Sequence, residues 1–148
     1  LKEMPMNARA NLITTTLALL ACLAGAGGAG HAHDGPHDGK ETRTVLQEKQ
    51  LPDVAHTKGV MATVTYAPGQ QSLPHRHPGS VFAYVMEGEV VSSLDDGPEV
   101  HYKAGDSWFE APGMRHVVSR NASATQPAKL LVVLLVPDGA ELAAPLAK

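Results

Sequence analysis

From Thr42 onward the chain is cut into short runs of strand-prone residues separated by turn signals, with no stretch of convincing helical periodicity. The runs are Arg43 to Lys49, Gly59 to Tyr66, His75 to His77, Val81 to Met86, Glu89 to Ser93, Val100 to Lys103, Ser107 to Glu110, His116 to Ser119 and Leu130 to Val136. Val60, Ala62, Val64 and Tyr66 alternate with Met61, Thr63 and Thr65, as in a strand with one buried face. Glu87-Gly88 and Asp95-Asp96-Gly97-Pro98 read as turns between neighbouring antiparallel strands. Many short strands at this spacing predict an all-β sandwich or small barrel. Leu130 to Val136 is apolar without interruption and bracketed by Pro127 and Pro137, which predicts a strand covered on both faces, within the wall or in a dimer interface. The tail over 138–148 is assigned at most one loose turn, around Glu141 to Ala144, and no role.

The start of the chain is of another kind. Lys2 and Arg9 precede an apolar run from Leu12 to Leu23 and then a tract of small residues, the order of a secretory signal peptide over 1–32. Export to a bacterial periplasm or beyond the cell is the expectation, and the run is too short to leave a transmembrane domain in the mature protein. Cleavage after Ala26 and after Ala32 both fit, and Leu19-Leu20-Ala21-Cys22 resembles a lipoprotein signal that would leave Cys22 lipid-anchored. Residues 33–41 form a His/Gly/Asp-rich linker too polar to order itself, and His31, His33 and His37 make it either a plain tether or a weak metal-catching arm. Cys22 is the only cysteine, so the rest of the chain has no thiol chemistry or disulfide. The net charge of −3 leaves no basic surface, and nucleic acid is not an expected partner.

His75 and His77 are separated by one residue, so on an extended strand both imidazoles point to the same face. Pro74 and Pro78 flank them and argue for an edge or bent segment. His116 follows beside a second Pro-Gly turn. Three histidines from two strands make a plausible face for one divalent transition metal. Imidazole does not choose sharply among iron, nickel, copper, zinc and manganese.

The spacing around these histidines resembles the cupin superfamily. Its first motif is matched by Gly69, His75, His77 and Gly88, with Val81 at the glutamate position. Its second is matched by Gly105, Gly113 and His116, with Ala111 at the proline position and Arg120 at the asparagine position, just before Asn121. The resemblance, over about residues 42 to 137, implies a cupin-like double-stranded β-helix, a jelly-roll barrel, following the signal segment. It also implies that His75, His77 and His116 are metal ligands and that Val81 is not. Gln70, Gln71 and Glu110 are candidates to supply the missing group, although spacing does not establish their reach.

Glu87 and Glu89 are expected at the solvent-exposed rim, Asp106 in a turn, and Arg76 pointing away from the histidines. In the expected register Val81, Ala83 and Val85 face inward, Phe82, Tyr84 and Met86 outward, and one of Trp108 and Phe109 packs on each side. An apolar pocket floored by metal suits a small-molecule ligand that chelates through oxygen. Three functions follow as expectations: a binding or sensing module for such a ligand, a metal-dependent dioxygenase acting on an enol, diketone or phenol, and a metal-free structural or dimerisation domain. A homodimer is compatible with each.

Overall fold

The computed structural model of this chain describes residues 41–147. The expected signal segment with Cys22, and the linker up to residue 40, lie outside the described residues. Among the described residues the chain forms β1 (Thr42–Gln50), β2 (Thr57–Tyr66), β3 (His75–Arg76), β4 (Ser80–Glu87), β5 (Glu89–Leu94), β6 (Val100–Lys103), β7 (Ser107–Glu110), β8 (Arg115–Asn121), β9 (Ala128–Pro137) and β10 (Ala144–Pro145). Each strand expected from the sequence is present, and the fold is all-β. No helix among these residues is long and apolar enough to cross a membrane.

The strands form two five-stranded sheets, ordered β1-β2-β9-β4-β7 and β10-β3-β8-β5-β6. The expected jelly-roll barrel is therefore corrected. No strand is shared between the sheets, so they are not closed into a barrel. The turn at Glu87-Gly88 shows why. It does not make a hairpin, because β4 and β5 belong to different sheets. Gly88 adopts φ +75°, and a Cβ there would lie 2.6 Å from the Pro127 carbonyl oxygen, so glycine lets the chain cross tightly from one sheet to the other. Gly105, at φ +99°, lies between β6 and β7, which are also on different sheets. Those outer strands are short, and their edges end unpaired rather than joining. Asp95 to Pro98, by contrast, does connect an antiparallel pair, β5 and β6.

The interior follows the alternation of the strands. Val60 and Val81 both pair with Leu134, Ala62 and Ala83 with Val132, and Val64 and Val85 with Leu130, giving three rows of inward apolar side chains across β2, β9 and β4. Each such side chain, once fully buried, stabilises the fold by roughly 1.5–3 kcal/mol. Trp108 is inward at 8% exposure and Phe109 outward at 47%, while Phe82, Tyr84 and Met86 lie on the outer face. β9 departs from the expectation of cover on both sides: inward Leu130, Leu134 and Val136 are buried and Val132 half-buried, whereas outward Leu131, Val133 and Leu135 are only half-buried.

Two further expectations are corrected. β3 is not an edge strand, because β10 pairs with it on one side and β8 on the other. Its flanking prolines instead limit it to two residues. The tail, expected to have no role, supplies β10, with Ala144 opposite Arg76 and Pro145 opposite His75.

Candidate metal centre

The register of β3 against β8 places His75 directly opposite His116. The side chain of His77, one residue past β3, comes to the same place. The three rings offer ligand atoms that all lie within 4.8 Å of one another, and the centroid of the His75 ring is 4.9 Å from that of His77 and 5.0 Å from that of His116.

Each ring is oriented through one nitrogen. His75 Nδ1–H donates to the Leu73 carbonyl at 2.8 Å, and His77 Nδ1–H donates to the Leu142 carbonyl at 2.6 Å. A carbonyl only accepts, so the proton sits on Nδ1 in both and the lone pair on Nε2. His116 pairs Nε2 with the Ser92 hydroxyl at 2.8 Å, leaving Nδ1 toward the other rings. Such anchoring of the second nitrogen is the usual companion of metal ligation. The Leu142 carbonyl comes from the tail, and nothing in the periodicity of that segment signalled its part.

Burial keeps the His75 and His77 rings neutral. His75 is lowered to about 3, by burial first and then by the neighbouring His116 and His77 rings. His77 is lowered for the same leading reason, although Glu110 works in the opposite direction. Unfolded histidine protonates near 6.5, so the unfolded chain binds more protons than the folded one below that pH. The stability carried by a neutral His75 is therefore present above pH 6.5 and lost as pH falls toward 3. Urea denaturation of metal-free protein is expected to give a stability about 2 kcal/mol lower at pH 5 than at pH 7.5 from this ring alone. A H75N variant is expected to flatten that dependence.

Glu110, one of the three groups considered for the missing carboxylate, is the one that reaches the histidines. It is buried on β7, with Oε1 3.2 Å from His116 Nδ1 and Oε2 3.7 Å from His77 Nε2. Trp108 Nε1–H donates to Oε1 at 2.9 Å. Burial works to raise its carboxyl, but His116, His77 and the Trp108 N–H outweigh it and hold it at about 2. Gln70 instead accepts from the Ala67 N–H, and exposed Gln71 forms a lone bridge with Arg120; neither lines the cavity. Arg76 and Glu87 are exposed, and Glu89 pairs with His101 away from the site. Asp106 accepts from the Lys103 N–H in its turn.

The histidines and Glu110 are among the residues lining a cavity of about 400 Å³ between the sheets. Its walls are mainly the apolar rows of β2, β4 and β9, completed by Ala140 to Ala143 of the tail. Glu48, Lys58 and Glu141 also line it, and a further polar patch lies where the Tyr66 hydroxyl is 2.8 Å from both the Ser72 and Ser119 hydroxyls. Burial raises the Tyr66 hydroxyl above its ordinary value, so it stays protonated. Arg43 also reaches the cavity, its guanidinium held by Glu41. Asn121, beside the motif's asparagine position, donates to the Ala67 and Gln126 carbonyls and so ties down two loops.

Comparison with known proteins agrees with this fold. The model of the Cupin domain family matches residues 62–134. An uncharacterised conserved protein with a double-stranded beta-helix domain from Klebsiella pneumoniae is 27% identical, with a TM-score of 0.56 over 77% of this chain and 90% of that one. A cupin-like protein from Thermotoga maritima is 19% identical, with a TM-score of 0.61 over 80% and 86%. A polyketide cyclase from Streptomyces resistomycificus is 22% identical, with a TM-score of 0.58 over 81% and 83%. The last two are alike in fold alone. No curated protein matches.

Proposed function

This chain belongs to the cupin superfamily, and on that premise we propose that His75, His77 and His116 hold one divalent transition metal and present it to a small organic ligand that chelates through oxygen. The observation that carries this reading is three oriented imidazoles converging on the wall of a largely apolar cavity. The donor set fits a divalent ion, and it does not separate iron, nickel, copper, zinc and manganese. When bound, the ion supplies Lewis-acid polarisation of a chelating oxygen.

The chain's own residues define the ligand. Val81, Ala83, Leu130 and Val132 favour a compact apolar body and keep water from it. The Ser72, Tyr66 and Ser119 hydroxyls offer a polar contact on the wall. Enolates, diketonates and phenolates of modest size have this combination.

Trp108 is the only tryptophan, and its ring centroid is 6.3 Å from that of His116, so its fluorescence reports on the site. Titrating diketones and catechols into untagged protein loaded with each of the five metals is expected to change this emission, whereas metal-free protein gives no response. Equal responses with and without metal would contradict the reading. Oxygen consumption by any metal-ligand pair would extend the function from binding to a dioxygenase reaction.

A further inference from the structure

We infer that Glu110 is a fourth ligand of the metal centre, a carboxylate delivered from β7 in place of the one that the first motif would put at position 81 of β4. The inference rests on the three-histidine reading above and goes beyond it.

Register provides the first argument. Val81 and Glu110 are direct partners across the β4–β7 ladder, and both point inward. Partnered side chains on one face of an antiparallel pair have their Cβ atoms about 4.5–5.5 Å apart. A glutamate at 110 therefore enters the same space as one at 81, from the adjacent strand. The substitution of valine in the motif moves the carboxylate rather than removing it.

The second argument is an unmet polar demand. Glu110 Oε2 and His116 Nδ1 are both buried without a hydrogen-bond partner. Although Glu110 Oε1 is 3.2 Å from His116 Nδ1, the pair lacks the alignment of a hydrogen bond. A buried carboxylate oxygen and a buried imidazole nitrogen, both left without a partner, are satisfied together when a cation lies between them. Two ligands bound tetrahedrally at the usual zinc distances stand about 3.4 Å apart. Oε1 stands 3.2 Å from His116 Nδ1 and Oε2 stands 3.7 Å from His77 Nε2, so each oxygen lies near that edge length from one of the histidine nitrogens.

Charge gives the third argument. Three neutral imidazoles leave a buried divalent ion with its full charge, and one carboxylate halves it. Trp108 is the positioning residue: its indole N–H fixes Oε1 and with it the plane of the carboxylate.

The test uses the full chain and Zn²⁺ in competition with a chromophoric chelator, with the absorption of the Co²⁺-loaded protein as a second readout. The isosteric E110Q is expected to lower Zn²⁺ affinity by about 100-fold and to change the Co²⁺ bands. In the parent protein, whatever becomes of the variant, Zn²⁺ loading is expected to shift a carboxylate stretching band in difference infrared spectra. E110Q affinity within twofold of the parent, unchanged Co²⁺ bands, or an unshifted carboxylate band would overturn the inference. H116A separates the two levels: if it loses Zn²⁺ while E110Q keeps it, only the assignment of Glu110 falls. If H116A also keeps it, the three-histidine reading falls with it.

Discussion

Replacing His116 by alanine is expected to leave the purified protein without stoichiometric metal, where the parent carries one ion per chain. His116 stands opposite His75 in the β3–β8 register, and its second nitrogen is anchored on Ser92. No other histidine among the described residues comes close enough to take its place. A four-ligand zinc site is worth about 10–16 kcal/mol, so one ligand accounts for roughly 3–4 kcal/mol, on the order of 100- to 1000-fold in affinity. Elemental analysis after dialysis against a weak chelator reads this directly, and H75A is expected to behave alike. H101A is the control, since that exposed ring pairs with Glu89 outside the site. Metal retained by H116A and H75A at the parent level would contradict the assignment.

The second large effect concerns Gly79, in the short link from His77 to β4. A Cβ at this position would lie 1.8 Å from the Leu135 carbonyl oxygen and 2.8 Å from the Val136 Cα, which are backbone atoms of the central strand β9. An alanine can be fitted only by lifting the start of β4 from β9. That breaks the ladder at Ser80 and Leu135 and draws Val81 out of the core. Overpacking of this severity, with lost backbone hydrogen bonds added, is expected to cost about 3 kcal/mol or more. Gly69 is the useful contrast: its φ of +70° strains an alanine, but nothing lies within 4 Å. G69A is expected to cost only about 1–2 kcal/mol. Urea denaturation of metal-free protein checks both, and G79A within about 1 kcal/mol of the parent would show that β4 need not sit so close to β9.

The parts of this architecture legible in the sequence are those governed by local pattern. Alternation placed Val81, Ala83 and Val85 inward and Phe82, Tyr84 and Met86 outward, and it split Trp108 from Phe109. The spacing of His75 and His77, with His116 beside its own turn, picked out the three rings that converge. What depends on pairing between distant strands was not legible. A strand pattern does not say which edges join, so the two open sheets were read as a closed barrel. Glu87-Gly88 has the composition of a hairpin turn, and only the close approach of Pro127 reveals it as a crossing between sheets.

The role of Glu110 follows from its partnership with Val81, a register set by β4 and β7 lying side by side. The tail was missed for a related reason. Its contribution is a backbone carbonyl at Leu142 and a two-residue strand, and neither depends on hydrophobic periodicity.

The central claim is that three rings from separate segments share one ion, and anomalous diffraction from crystals of the metal-loaded protein tests it most directly. Data collected on either side of the absorption edge of the bound metal are expected to give one strong peak about 2.0–2.2 Å from His75 Nε2, His77 Nε2 and His116 Nδ1. A fully loaded crystal with no peak among these three nitrogens, or with its peak elsewhere on the chain, would contradict the account.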